Sequence, residues 1–534
     1  MKSLKYSIYI ITLLIAGACE QEVIDLQPPV VVEDNSCATA ASGTADFTKF
    51  VALGSSYTAG FQAGALFTEG QNNSLAKILS TQFACAGGGA FNQPTIGNEF
   101  GYNIFISPNP PADNQIRGRL FLQGTPPAPA PHKFALGDLS AAPNPAINPG
   151  FMYTGSTGAV PSNQLNNFSV QAVFLGQALI PQTGNWAVAG VDPRFNPFYG
   201  RFASNPGTST MLTDAIGSLT NGGTFFLFWL GMDDVLLHAA FGGDPTKAPL
   251  TPLDFVDANN PGFKILYNNA IGGLLANPTL EGVVANYPEI FTMPHFTSVP
   301  YNPIPLPAET AASLTTNVAN NYNAFLDYAV ANGFISEDEG AKRKIEYKAG
   351  QNPILFNDET LTDLAPNMVG PFAGLAPYAK ARQTKNTDII PLSTGSVLGV
   401  VLGPNLIQGV TVPLGDQYVL IPSEITEINT RLADFNAHVK SVADANSTRL
   451  AFADVNKAMK DFVTAKAYVI DNVTITPSLA PPTGIYSEEG LHPNSRGYAF
   501  IARTFIDAIN TKFGSTIPKP KLGNYKATAL PINP

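Results

Sequence analysis

Apolar residues along the chain follow two patterns, short uninterrupted runs and longer stretches spaced by three and four. Phe50-Val51-Ala52-Leu53-Gly54 is a run that stops abruptly in Ser55-Ser56-Tyr57-Thr58-Ala59-Gly60, and Thr224-Phe225-Phe226-Leu227-Phe228-Trp229-Leu230-Gly231 is a second. Runs without polar alternation predict parallel strands covered on both faces. Gly282-Val283-Val284-Ala285, Tyr418-Val419-Leu420-Ile421 and Leu450-Ala451-Phe452-Ala453 predict further strands, and Trp186-Ala187-Val188-Ala189-Gly190 predicts a short one ending in glycine. Leu75, Ile78 and Leu79 have helical spacing, as do Tyr267, Ala270, Ile271, Leu274 and Leu275, and then Leu314, Val318, Tyr322 and Phe325, which stop near a capping Gly333. Ile425, Ile428, Leu432, Phe435, Val439 and Val442 form a long stripe behind Ser423 as its cap, and Tyr498, Ile501, Phe505 and Ile509 form a closing helix. Strands alternating with helices predict an α/β fold with a mainly parallel central sheet. The prolines of 108–111 and 126–131 preclude long helices there, so residues from 87 onward read as an insertion walling a cleft. Residues 338–413 carry no ordered signal, and no internal repeat is evident.

Composition narrows the class. With 534 residues, 45% of them hydrophobic and 13% charged, the chain can bury one large core or two modest ones, which excludes wholesale disorder. The 47 glycines and 45 prolines are mixed among apolar segments, as in a scaffold with long loops. A net charge of -10 without Lys/Arg clusters disfavours nucleic acid. Lys2 and Lys5 precede the apolar run from Ile8 to Ile15, and Ala16-Gly17-Ala18 then precede Cys19, which is the pattern of an export signal. Cysteine after small residues resembles the lipobox of bacterial lipoproteins, where that cysteine is lipidated. The expected organisation is a signal peptide (1–18), a tether (19–45), a main domain (46–515) with insertions at about 87–180 and 240–415, and a tail (516–534), anchored in the cell envelope. Cys37 and Cys85 can pair in an oxidising compartment, and two cysteines without diagnostic spacing give no metal site.

Two stretches carry candidate chemistry. The first strand delivers Ser56 to a tight turn, the placement a nucleophilic hydroxyl needs. Just before the closing helix, Glu488-Glu489-Gly490-Leu491-His492-Pro493-Asn494 sets a carboxylate three residues ahead of a histidine, so that one loop can hold an oriented imidazole. Asp234 and His238, four apart on a helix, lack a third ligand for a metal. His132, His295 and His438 read as structural or exposed, and Phe225 to Trp229 as core.

Four ordered blocks, Gly54-Ser55-Ser56-Tyr57, Gly190, Gly231-Met232-Asp233-Asp234 and Glu489-Gly490-Leu491-His492, resemble those of the GDSL or SGNH hydrolases. The resemblance spans almost all of the exported chain. It implies a three-layer α/β/α sandwich, flavodoxin-like in its sheet, and a cofactor-free hydrolase of small-molecule, lipid or acylated-carbohydrate esters. By matched position Ser56 is the nucleophile, His492 the base and Glu489 the acid, with the amides of Ser56 and Gly190 as oxyanion donors. The α/β-hydrolase motif G-x-S-x-G is not met, because Thr58 replaces its last glycine. Three positions depart from the family: Ser55 stands where aspartate is usual, Glu489 replaces aspartate, and Asp233 replaces the asparagine whose amide donates to the oxyanion. An ionised carboxylate has no such proton, so the alternative reading is an impaired member that binds a glycan or lipid.

Overall fold

The computed structural model describes residues 35–97, 99, 101, 119–123, 128–131 and 164–528. The expected signal peptide (1–18), Cys19 and His132 lie outside them. Two units divide the chain, Met1–Thr39 and Ala40–Pro534. The described part of the first is a 3-10 turn, Asn35–Thr39. Cys37 and Cys85 are both disulfide-bonded.

The second unit is built on four parallel strands, β1 (Phe50–Gly54), β2 (Phe225–Trp229), β3 (Glu281–Ala285) and β4 (Leu450–Ala453), hydrogen-bonded in that order. All five residues of β1 and of β2 are buried, as their unbroken apolar sequences require. Residues 166–168 run along the free edge of β1, where Ala52 donates to the Asn166 carbonyl (2.7 Å) and accepts from Phe168 (2.8 Å). The chain therefore leaves β1 toward one edge and returns on the other side with β2. In open α/β sheets the crevice at such a reversal, at the C-terminal ends of the strands, is where ligands bind.

The flanking helices are α1 (Ser56–Ala59), α2 (Leu75–Ala84), α3 (Met211–Thr220), α4 (Asp233–Ala240), α5 (Phe263–Leu274), α6 (Pro422–Ala445), α7 (Val455–Ala465) and α8 (Ser495–Phe513). They form two groups: α8 packs on β3 and β4 and against α2 and α7, while α6 packs on the same strands and against α4 and α5. The buried stripe of α6 contains Ile428, Leu432, Phe435 and Val439, as its spacing predicts. Its start differs from expectation: Pro422 opens the helix, where its fixed φ fits, and Glu424, not Ser423, caps by accepting from the Ile421 amide (2.8 Å). Two predicted strands are absent. Trp186–Val188 is a 3-10 turn, because the Asn185 side chain accepts from the Ala187 amide (3.0 Å) and curls the chain. Tyr418–Ile421 is a lead-in to α6 with an isolated bridge from Leu420 to Ile389.

The second insertion is shorter than the expected 240–415, because α5 and β3 within those bounds belong to the central sheet and its helices; from Ile304 onward the chain carries its own core around Tyr322, Phe325, Leu326, Ile354 and Phe356. Within it Arg382 pairs with Asp358 (2.5 Å) and Asp388 (2.6 Å), each side chain at most 2% exposed. Buried charges persist only when paired in this way. At the chain ends the main body reaches further than expected: Thr44 donates to the Phe513 carbonyl (2.9 Å), and the supposed tail buries Ile517 and Leu522.

Candidate active site

Ser56 opens α1 directly beyond β1, at 3% exposure. The turn is tight at Gly54, where a Cβ would lie 2.3 Å from the Thr58 hydroxyl and 2.8 Å from the Trp229 carbonyl. Only glycine admits both neighbours, and the result is a serine held over the sheet's C-terminal edge. As the first helical residue it also has no carbonyl one turn back for its own amide.

The loop before α8 supplies the acid and base. Asn494 caps α8 by accepting from Gly497 (3.0 Å) and anchors the loop to the Gly484 carbonyl (2.8 Å). Glu489 Oε1 accepts from His492 Nδ1 (2.9 Å) and from the His492 amide (3.1 Å), and Oε2 accepts from the Ser487 hydroxyl (2.7 Å) and the Gly64 amide (3.0 Å). Burial pushes this carboxyl up, but the His492 and Ser487 contacts outweigh it and hold it below its ordinary value. Because a carboxylate can only accept, Nδ1 carries a proton, and in the neutral ring Nε2 is therefore bare. That nitrogen is buried without a hydrogen-bond partner. The His492 ring rests edge-on against Phe61 (4.9 Å) and beside Tyr57 (5.3 Å), whose hydroxyl donates to the Leu491 carbonyl (2.7 Å). Tyr57 follows Ser56 directly, so one residue joins the nucleophile turn to the base loop.

Asp233, the first residue of α4, completes the group. Its Oδ2 accepts from the Ser56 hydroxyl and from the Val173 amide, both at 3.2 Å, while Oδ1 is buried and unpartnered. Ser56 therefore donates to Asp233 in this structure. Burial pushes the Asp233 carboxyl up to about 6, against the His492 charge, the Val173 amide and the Ser56 and Ser55 hydroxyls, which favour the anion. The carboxyl lies close to its switch between acceptor and donor.

The expected second oxyanion amide is not at Gly190. That residue is exposed, and a Cβ placed on it would have no neighbour within 4 Å, in the turn that replaces the predicted strand. The amide facing Ser56 Oγ, at 3.2 Å, is that of Ala172. It follows the edge segment at 166–168, the neighbour of β1 that the sequence did not reveal. Ala172 has φ +50, in the left-handed region where glycine is the usual occupant. The alanine hid the position: a glycine there would have been a signal.

The remaining candidates have other roles. Asp234 is fully buried and holds a loop, accepting from the Leu175 amide and the Thr251 hydroxyl, both at 2.7 Å, and burial pushes it up to about 7. His238 Nδ1 lies 2.7 Å from the Ala248 carbonyl, which ties the end of α4 to the turn after it. His438 contacts Asn268 (3.0 Å). His295 is buried rather than exposed: its Nδ1 donates to the Glu489 carbonyl (2.8 Å), Nε2 has no partner, and burial pushes it down to about 4. Among the described residues, the one group of acidic side chains close enough to share a cation is Glu359, Asp416 and Glu424, away from Ser56. Gln171 is 0% exposed with both amide atoms unpartnered, and the Thr58 and Ser169 hydroxyls are likewise orphaned. Orphaned buried polar atoms are rare, and among the described residues Asp233 and His492 themselves carry two of them, with Arg119, Tyr267 and Asp416 carrying others. No family model, no curated protein and no solved structure matches the chain.

Proposed function

We propose that the chain is an exported serine hydrolase of the SGNH type, a three-layer α/β/α protein that cleaves esters through an acyl-Ser56 intermediate and is lipid-anchored at Cys19. The observation that carries this reading is the Glu489–His492 pair, which leaves a bare imidazole nitrogen in the same buried group as Ser56 and Asp233. Ser56 Oγ attacks the ester carbon as its proton passes to His492 Nε2. Negative charge develops on the former carbonyl oxygen between the amides of Ala172 and Ser56. The carbonyl re-forms, the C–O bond to the alcohol breaks, and the alcohol takes the proton from His492. Water then repeats the sequence, releasing the acid and free Ser56.

Asp233 limits this scheme. Ionised, it repels the oxyanion and holds the serine proton; protonated, it can donate. Since burial places its titration at about 6, the donating, protonated form of Asp233 is lost as pH rises through that value, and activity should fall with it. The chain from Glu20 onward, assayed on short acyl esters and acetylated sugars, should show weak activity that Ser56→Ala abolishes. Asp233→Asn should raise kcat by about 10²-fold, the usual worth of one oxyanion donor, and extend activity to pH 8. Should neither the parent nor Asp233→Asn hydrolyse any ester, the hydrolase reading fails. The second reading, a surface lipoprotein that binds a glycan or lipid in the same cleft, is favoured by the Ser56 to Asp233 hydrogen bond itself.

A further inference from the structure

A cavity of about 260 Å³ reaches Ala172, the neighbour of Ser56, and has no role in the chemistry above. Ala172, whose amide faces Ser56 Oγ, is one of its lining residues. Residues 171–175 alternate: Gln171, Val173 and Leu175 are buried, while Ala172 and Phe174 are half-buried and line the cavity. The opposite wall comes from α4 and the turn after it, where Leu237 and Phe241 also line the space. Asp233, Leu237 and Phe241 are spaced by four, so they lie on one helix face. The face that begins at Ser56 with Asp233 thus continues as the cavity wall. Phe195 closes the side, and Lys247, exposed and without an ion pair among the described residues, forms a polar rim.

We propose that this cavity is the acyl subsite and that it takes medium-length unbranched acyl chains, of about six to nine carbons. The inference rests on the ester-hydrolase reading for the direction of the substrate. In acyl transfer the departing alcohol must sit on the His492 side to receive its proton, which leaves the acyl group the side away from the base. No residue of the His492 loop lines this cavity, whereas the oxyanion-side Ala172 does. Phe174, Phe195, Leu237 and Phe241 give most of the wall, and the polar Gln177 and Asn196 that also line it are engaged with backbone, Gln177 accepting from the Phe174 amide (2.8 Å) and Asn196 donating to the Gln171 carbonyl (2.9 Å), so the space suits a hydrocarbon chain better than a sugar. Eight residues of helix rise by about 12 Å, room for fewer than about ten extended carbons before the Lys247 rim. A volume just under the usual lower bound for ligand sites, roughly 300 Å³, likewise excludes a long lipid chain.

The test is a chain-length series of p-nitrophenyl esters from acetate to palmitate on the full mature chain in the Asp233→Asn background. The optimum is expected at hexanoate to octanoate. Leu237→Trp should lower the octanoate-to-acetate ratio of kcat/KM at least tenfold, and Phe241→Ala should move the optimum toward dodecanoate. An optimum at acetate, or ratios that neither variant moves, overturns the proposal. Octanoate titrated calorimetrically into Ser56→Ala gives a readout without turnover: binding that Leu237→Trp abolishes is expected, and no binding overturns the subsite. If octanoate binds in this manner and no ester is cleaved, the hydrolase reading is what fails.

Discussion

At the scale of single residues, Glu489 is the side chain on which the base depends. Its two oxygens receive four donors, two from His492 and one each from Ser487 and Gly64. A glutamine there either turns its NH₂ toward His492, which forces the opposite tautomer, or turns it toward Ser487 and the Gly64 amide, which costs the loop its Gly64 acceptor, and in both cases the charge that steadies an imidazolium is gone. The expected result is a kcat about 10³- to 10⁴-fold lower with KM little changed, as for loss of the orienting acid in other triads, measured on the Asp233→Asn background. A fall confined to KM would remove Glu489 from the proton relay. The serine, histidine and glutamate were legible because each follows a strong apolar run or precedes one. Ala172 was not, since nothing in Val170-Gln171-Ala172-Val173 signals an amide turned toward a serine.

At the scale of elements, that invisibility has a physical cause. Strands β1 to β4 are continuous apolar runs, but the edge segment at 166–168 begins Asn166-Asn167. Asn166 secures the edge with its side chain, donating to the Phe50 carbonyl (2.7 Å) and accepting from the Asn92 amide (2.8 Å). Such a segment reads as loop. The second insertion was illegible for a related reason, because its strands are three residues long and it is held by the Arg382 pairs and a core of distant residues. The turn after the edge segment yields its own prediction. Left-handed φ at a non-glycine residue costs on the order of 1–2 kcal/mol, so Ala172→Gly should stabilise the protein by about 0.5–1 kcal/mol against urea while keeping the amide in place. Ala172→Val, branched at Cβ, should destabilise by about 2 kcal/mol and lower kcat more than tenfold. Equal stability of the alanine and valine proteins would mean that the turn is not held in this conformation.

At the scale of the whole molecule, buried acids and buried histidines set opposing dependences on pH. Burial pushes Asp234 and Glu488 up to about 7 and Glu424 up to about 8, and Asp416 rises with it through burial and its contact with Glu359. Each holds a proton in the folded state that the unfolded chain has already lost, so each makes stability fall as pH rises from the unfolded value toward the folded one. His295, His238 and His438 are pushed down by burial and act in the opposite sense, making stability rise with pH up to the ordinary histidine value of 6.5. Below that pH the two sets oppose one another, whereas above it only the acids continue to titrate. Melting temperature should therefore fall from pH 6.5 to pH 8.5, and Asp234→Asn should shallow the fall, because an amide needs no proton to remain buried between Leu175 and Thr251. A melting temperature that climbs from pH 6.5 to 8.5 would show that these carboxyls are ionised in the folded protein.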